Sequence, residues 1–408
     1  MKPGRLASHV REKNVVICCG SGGVGKTTVA ASVGLRAAIE GRKVLVLTID
    51  PARRLANALG IDVLENSIKE VPREKFEAAG IEFKGSLSAM MLDTKREWDD
   101  VVRRYAPDSG SRDKILGNRL YNYLSNHLVG AGEFMAMERL YYLHQQGDYD
   151  LVVLDTPPTK HALDFLEAPR KLFSFLEDGT FVNAFLKPYT EEGGRPGVGM
   201  RMLKFGTTAV FKVLEMIIGG EILRDISEFV GSFEGYYQGF KGRAYGVDAL
   251  LRQPTTSFLL VTSPSKLTLT ETRYFYDRLR EAQMPFGGFI INRVHNNFLP
   301  PGVEIDPLKL AWVENPADRK ALLDRVPEIS GLKPYGGKAR DLMGDLLDTY
   351  ANMEILAAGE QKNLELIQKV RDPKEFFIQV PFFDRDIFDA EGLLQFNQVL
   401  FDDGHLSA

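Results

Sequence analysis

Val15-Val16-Ile17-Cys18-Cys19-Gly20-Ser21-Gly22-Gly23-Val24-Gly25-Lys26-Thr27-Thr28 decides how this chain folds. Its first five residues form an unbroken apolar run, as a strand buried on both faces requires. From Thr27 to Ile39, Val29, Val33, Leu35 and Ala38 then recur at helical spacing. Between strand and helix, Gly20 to Thr27 satisfies G-x-x-x-x-G-K-[ST], in the context that gives this pattern physical meaning. The glycines let the backbone curl so that its N–H groups and the helix N-terminus point at phosphate oxygens. Lys26 neutralises charge and the Thr27 hydroxyl is placed to hold Mg²⁺. Gly20, Ser21, Gly22, Gly23, Val24, Gly25, Lys26, Thr27 and Thr28 are therefore candidate nucleotide-binding residues.

Working outward, Lys43-Val44-Leu45-Val46-Leu47-Thr48-Ile49 reads as a second buried strand that ends at Asp50-Pro51. Short apolar runs recur at Leu87–Leu92, Leu151–Leu154, Ser257–Thr262, Gly288–Ile291 and Phe376–Val380. Together they predict about seven strands in one mostly parallel, doubly wound α/β sheet. Asp155 closes its strand where a phosphate cradle needs a Mg²⁺-orienting carboxylate, and Thr27 and Asp155 are the candidate metal ligands. Asp50 lies on the same carboxyl edge, where it could orient the attacking water or stand as a solvated strand-end aspartate.

Residues 1–408 read as a single such domain carrying two mainly helical insertions, 165–252 and 298–370. In the first, Met200, Met202, Leu203, Phe205, Val210, Phe211, Val213, Leu214, Met216, Ile217 and Ile218 leave few polar residues, and Phe229 and Phe233 extend the apolar stretch. Such a segment suits either a buried bundle helix or a groove for a hydrophobic polypeptide. In the second, Leu342, Leu346, Tyr350, Met353, Ala357, Leu364 and Ile367 predict one long helix that packs in the core or in a dimer.

The 408 residues are 44% hydrophobic and 26% charged, which excludes disordered and fibrous classes. With 51 Lys+Arg against 55 Asp+Glu there is no global positive field to attract nucleic acid. The only two cysteines, Cys18 and Cys19, are adjacent in an apolar run, which points to a reducing compartment and excludes a cysteine zinc site made by this chain alone. No window of about 18 uncharged apolar residues predicts a membrane span. These features lead us to expect a cytoplasmic protein without an integral membrane segment.

The combination of motifs resembles the ArsA-like ATPases, which include the arsenite-pump ATPase and the ATPase that targets tail-anchored membrane proteins. That family carries a deviant Walker A loop G-K-G-G-V-G-K-T, a D-P-A-H switch I and a D-T-A-P-T-G-H-T-L-R switch II. Here Gly20 to Thr28 matches the loop, Asp50-Pro51-Ala52 switch I, and Asp155-Thr156-Pro157-Pro158-Thr159-Lys160-His161-Ala162-Leu163 switch II. Asn292 falls where the family contacts adenine, and Val380-Pro381-Phe382-Phe383 looks like the loop that closes over the base. The resemblance implies a P-loop NTPase fold, ATP and Mg²⁺ as cofactors, a nucleotide-dependent dimer, and Asp50 as the catalytic residue. It identifies the chain as a bacterial-type member.

Three departures refine this expectation. The family's second loop lysine, which reaches the partner's phosphates, is Ser21 here, while Arg53, Arg54 and Lys160 place cations at switch positions that the family leaves uncharged. The zinc-binding C-x-x-C of tail-anchored-targeting dimers and the arsenite-binding cysteines are missing, so arsenite transport is not expected. The leading reading is a Mg²⁺-dependent ATPase, homodimeric or paired with a paralogue, that switches conformation and handles a hydrophobic polypeptide. The alternative is a weakly hydrolysing nucleotide-binding regulatory subunit in a heterodimer with a lysine-bearing paralogue. A ParA- or MinD-like positioning ATPase shares the loop but not the switch II signature or the insertions.

Overall fold

The computed structural model describes residues 5–49, 54–61, 64, 66–78, 81–127, 131–157, 242–296, 316–325, 338–387 and 389–402. The candidate catalytic Asp50, together with Arg53 and Lys160, lies outside them. So do nearly all of the first insertion and its Met200–Phe233 stretch.

Among the described residues eight strands run in chain order: β1 (Val15–Cys19), β2 (Lys43–Thr48), β3 (Lys69–Glu70), β4 (Ser86–Met91), β5 (Leu151–Asp155), β6 (Thr256–Thr262), β7 (Phe286–Val294) and β8 (Phe376–Pro381). They form one sheet in the order β3-β4-β2-β5-β1-β6-β7-β8. Every pairing is parallel except β3 with β4. The expected seven strands are all present. The eighth, β3, was not foreseen because two exposed charged residues at a sheet edge carry no apolar run for a pattern to catch.

The described helices are α1 (Arg5–Arg11), α2 (Lys26–Ile39), α3 (Arg54–Ala58), α4 (Glu74–Glu77), α5 (Thr94–Tyr105), α6 (Ser109–Gly117), α7 (Arg119–His127), α8 (Ala131–Gln146), α9 (242–251), α10 (Lys266–Glu281), α11 (Pro316–Asp324), α12 (Ala339–Gln368) and α13 (Ala390–Phe401). They cover both faces of the sheet, so successive strand residues enter opposite cores. Val15, Ile17 and Cys19 pack with α5, α8, α9, α10 and the end of α12, whereas Val16 and Cys18 pack with α1, α2, α3 and α13. This is why the parallel strands read as continuous apolar runs rather than alternating ones. Burial pushes the Cys19 thiol up to about 12 and Cys18 well above its ordinary value, so both stay protonated packing groups.

The predicted long helix of the second insertion is α12, and its stripe divides in two. Ala357, Leu364 and Ile367 are buried, whereas Leu346 and Met353 are exposed among the described residues. Among those residues no helix is long and apolar enough to cross a membrane.

Candidate active site

Because β1, β2, β5, β6, β7 and β8 run parallel, their carboxyl ends share one edge of the sheet, and the strand order reverses direction about β1. Ligands of open α/β sheets bind at such a switch point. The Gly20–Gly25 loop, Asp155, Asn292 and Pro381-Phe382 therefore all lie at this edge, although they are drawn from widely separated parts of the sequence.

The loop is shaped by close approach. Gly20 has φ +155°, and a Cβ there would overlap the carbonyl oxygen of Val261 on neighbouring β6. Gly25, at φ +97°, is the N-cap of α2, and a Cβ on it would run into the Asn292 amide. Helices α5, α6, α10 and α13 each have a side-chain oxygen on their first-turn amides, from Asp93, Asp108, Ser265 and Asp389. Gly25 offers α2 no such cap. The leading N–H groups of α2 are thus left to an anionic ligand, and the helix dipole favours one.

Lys26 is buried, and its Nζ donates to the Ser21 carbonyl at 2.8 Å. The Thr27 hydroxyl donates to Asp155 Oδ2 at 2.7 Å, and Thr48, at the end of β2, donates to the same oxygen at 2.9 Å. Asp155 is almost fully buried. Its neighbour Thr156 donates through Oγ1 to the Cys18 carbonyl at 2.9 Å, which ties the end of β5 to β1. Two hydroxyls converging on a buried carboxylate beside a lysine ammonium make a hard-oxygen donor set, and this suits Mg²⁺. Among the described residues no three His, Cys, Asp or Glu side chains gather into a metal cage. A Mg²⁺ ion here would therefore complete its shell with water and phosphate oxygens, as it usually does. Sequence reasoning missed Thr48, whose only signal was a hydroxyl two residues before Asp50.

On the other side of the loop, Asn292 Nδ2 donates to the Val24 carbonyl at 2.9 Å while its Oδ1 accepts from the Arg293 N–H at 3.0 Å. Asn292, expected to touch a base, braces the Gly20–Gly25 loop through the Val24 carbonyl. Arg293 has φ 63°, a left-handed conformation that turns the chain sharply after this contact. Pro381 is buried at the end of β8, and the Phe382 N–H donates to the Val294 carbonyl at 2.9 Å. The half-exposed Phe382 ring stacks on His295, with centroids 5.1 Å apart and planes 13° from parallel. Glu360 of α12 holds His295 through both Nδ1, at 2.8 Å, and the backbone N–H, at 2.9 Å. The result is an aromatic shelf on a fixed support, flat enough to receive a base. Neither His295 nor Glu360 carried a motif that would have found it.

Ser21 is buried, and its hydroxyl donates to Glu271 of α10 at 2.5 Å. Of the three cations considered as substitutes for the missing lysine, only Arg54 is described. It is exposed at the start of α3.

The chain matches the anion-transporting ATPase family over residues 13–298. It belongs to that family. The ArsA-like resemblance expected from the motifs is thereby shown, together with the P-loop α/β fold, and membership makes the chain an ATPase by class. The match ends where the second predicted insertion begins. Among similar proteins, putative arsenical pump-driving ATPase 2 of Aquifex aeolicus is 24% identical over 310 residues, covering 72% of this chain and 87% of that protein. Putative arsenical pump-driving ATPase 1 of the same organism is 24% identical over 265 residues, covering 64% of this chain and 58% of its own length. ATPase GET3C of Arabidopsis thaliana is 24% identical over 358 residues, or 83% of each protein.

Proposed function

We propose that this ATPase hydrolyses Mg·ATP at the carboxyl edge of β1, β2 and β5. The observation that carries the reading is the convergence of Thr27 and Thr48 on Asp155 beside Lys26, at a helix N-terminus without a side-chain cap. The amides of Gly20 to Thr28 bind the phosphates, and Lys26, held at the loop by the Ser21 carbonyl, neutralises their charge. Thr27 and Asp155 hold Mg²⁺, which when bound neutralises charge on the phosphates. Asp50, two residues beyond Thr48, orients the attacking water and receives its proton. Asn292, Pro381 and Phe382 hold the base side.

The same reading extends to a conformational switch between copies of this chain that presents a hydrophobic surface to a polypeptide in the cytoplasm. Its support is the resemblance and the apolar composition of residues 200–233. Sedimentation velocity in ADP and in a non-hydrolysable ATP analogue tests it. A single monomeric species in both would remove the dimer from the reading. The alternative of a weakly hydrolysing regulatory subunit gains nothing from relatives that are themselves named ATPases.

The deciding experiment is Mg²⁺-dependent ATP turnover by the purified chain, with Asp50→Asn as the comparison and nucleotide affinity measured on both. We expect kcat to fall by at least about 100-fold with affinity retained. Equal turnover in the two proteins would remove Asp50 from the mechanism.

A further inference from the structure

Glu360 reaches the base side of the site from α12, a helix that lies beyond the residues 13–298 matched by the family model. Around Glu360 this helix is fastened to the ends of three neighbouring strands. Asn363 Nδ2 donates to the Pro264 carbonyl, two residues beyond β6, at 3.2 Å, and Gln361 Nε2 donates to Gln379 Oε1 of β8 at 3.2 Å. Glu360 itself is buried and accepts twice from His295, the residue after β7, with Oε1 from the ring Nδ1 and with Oε2 from the backbone N–H. A carboxylate only accepts, so Nδ1 carries the proton of this bond. One group thereby holds both the ring and the main chain of His295.

Phe382 depends on that hold. Its N–H is tied to the Val294 carbonyl at the end of β7, but its ring is half-exposed, and among the described residues His295 is the aromatic group that meets it. A ring backed by a fixed neighbour has less rotamer freedom to lose when a ligand stacks on it, so binding costs less ordering. Stacking of a base on an aromatic side chain is worth about tenfold or more in affinity. The effect is confined to one end of the nucleotide, because among the described residues Glu360 bonds His295 and no residue of the phosphate loop.

We propose that Glu360 is a positioning residue that, by fixing His295 against Phe382, sets the affinity of the site for the base of ATP and leaves the phosphate side untouched. The proposal rests on the reading of Asn292, Pro381 and Phe382 as the base side. The test is titration of the full-length chain in Mg²⁺ with a non-hydrolysable ATP analogue and, as a probe without a base, with inorganic tripolyphosphate. The proteins compared are wild type, Glu360→Ala, Glu360→Gln, Phe382→Ala and the double variant Glu360→Ala/Phe382→Ala. Glu360→Ala is expected to weaken binding of the analogue about tenfold and that of tripolyphosphate not at all. Glu360→Gln, whose amide oxygen still accepts one of the two bonds, is expected to fall between wild type and Glu360→Ala. The double variant is expected to bind the analogue no more weakly than Phe382→Ala, because Glu360 acts through that ring. A residue that only supported the fold would weaken both probes alike, and that result overturns the proposal. So does an analogue affinity in Glu360→Ala equal to or tighter than wild type, and so does a double variant whose losses multiply. If Phe382→Ala binds the analogue as wild type does, the reading of the base side fails, and the proposal with it.

Discussion

Gly20 shows how much of the candidate site's shape rests on one missing methyl group. A Cβ there meets the main-chain carbonyl of Val261, which the β1–β6 ladder holds in place and which cannot step aside. Gly20→Ala is expected to cost about 1–3 kcal/mol of stability. It should also weaken nucleotide binding at least tenfold, as measured by urea unfolding and by titration with a nucleotide. Asp155 makes a second prediction at this scale. Asp155→Asn replaces a carboxylate that accepts from Thr27 and Thr48 with a neutral amide, so it should weaken Mg·ATP binding far more than binding of ATP in EDTA. Equal losses in the two titrations would show that Asp155 does not support the metal. The loop and Asp155 were legible in the sequence because each belongs to a contiguous pattern at a strand end. Thr48 and Glu271 were not, because they reach the site from 107 and 250 residues away with no periodicity to announce them.

At the scale of elements, the parallel strands announced themselves by unbroken apolar runs, and β3 escaped because Lys69 and Glu70 have none. The long helix α12 was visible in its spacing. Which part of its stripe is covered was not, since an apolar residue looks the same in sequence whether or not a neighbour reaches it. Less legible still is the joint among α5, α8 and α9. Glu97 and Glu138 are fully buried there, with Arg104 and Arg139 on Glu97 and Arg243 on Glu138. Arg104 lies over the Tyr142 ring at 4.2 Å and Arg243 over Tyr105 at 4.3 Å, so aromatic faces carry part of the solvation that water would otherwise supply. Burial raises the Glu97 carboxyl above its ordinary range despite the two guanidiniums beside it. Arg243 stands at the beginning of α9, in the closing stretch of the 165–252 insertion, and α8 leads into the strand bearing Asp155. Arg243→Leu should therefore cost about 3–5 kcal/mol by leaving the Glu138 charge short of a partner in a dry site. The double variant Glu138→Leu/Arg243→Leu should regain much of that loss in the same denaturation assay. A single variant as stable as wild type would show the pair to be dispensable.

Across the whole molecule, the two cores are closed by segments distant in sequence. His9 of α1 bonds Ser257 Oγ of β6 at 2.7 Å and meets the Phe376 ring of β8 edge-on at 5.5 Å. Burial, helped by Lys13, lowers its pKa from 6.5 to about 4. Between those values the unfolded chain binds a proton that the folded one refuses, so this group's contribution to stability is intact above about pH 6.5 and is lost as pH falls toward 4. The loss reaches about 3 kcal/mol at most. Chemical denaturation at pH 7 and pH 5 should show a decline that His9→Gln reduces, and equal declines in the two proteins would assign the acid sensitivity elsewhere.

In the same core, the Asn397 amide of α13 donates to both the Ser32 carbonyl, at 2.7 Å, and the Ser32 hydroxyl, at 2.9 Å, in the middle of α2. These residues are 365 positions apart. At about 5–20 residues per second, the ribosome delivers Asn397 roughly 20–70 s after Ser32. For that interval the helix that follows the phosphate loop lacks its outer cover, and its apolar flank is open to chaperones and to other nascent chains. ATP cannot meet a finished pocket until the far end of the polypeptide has emerged, so a truncated translation product would bear the nucleotide signature without the means to act on it.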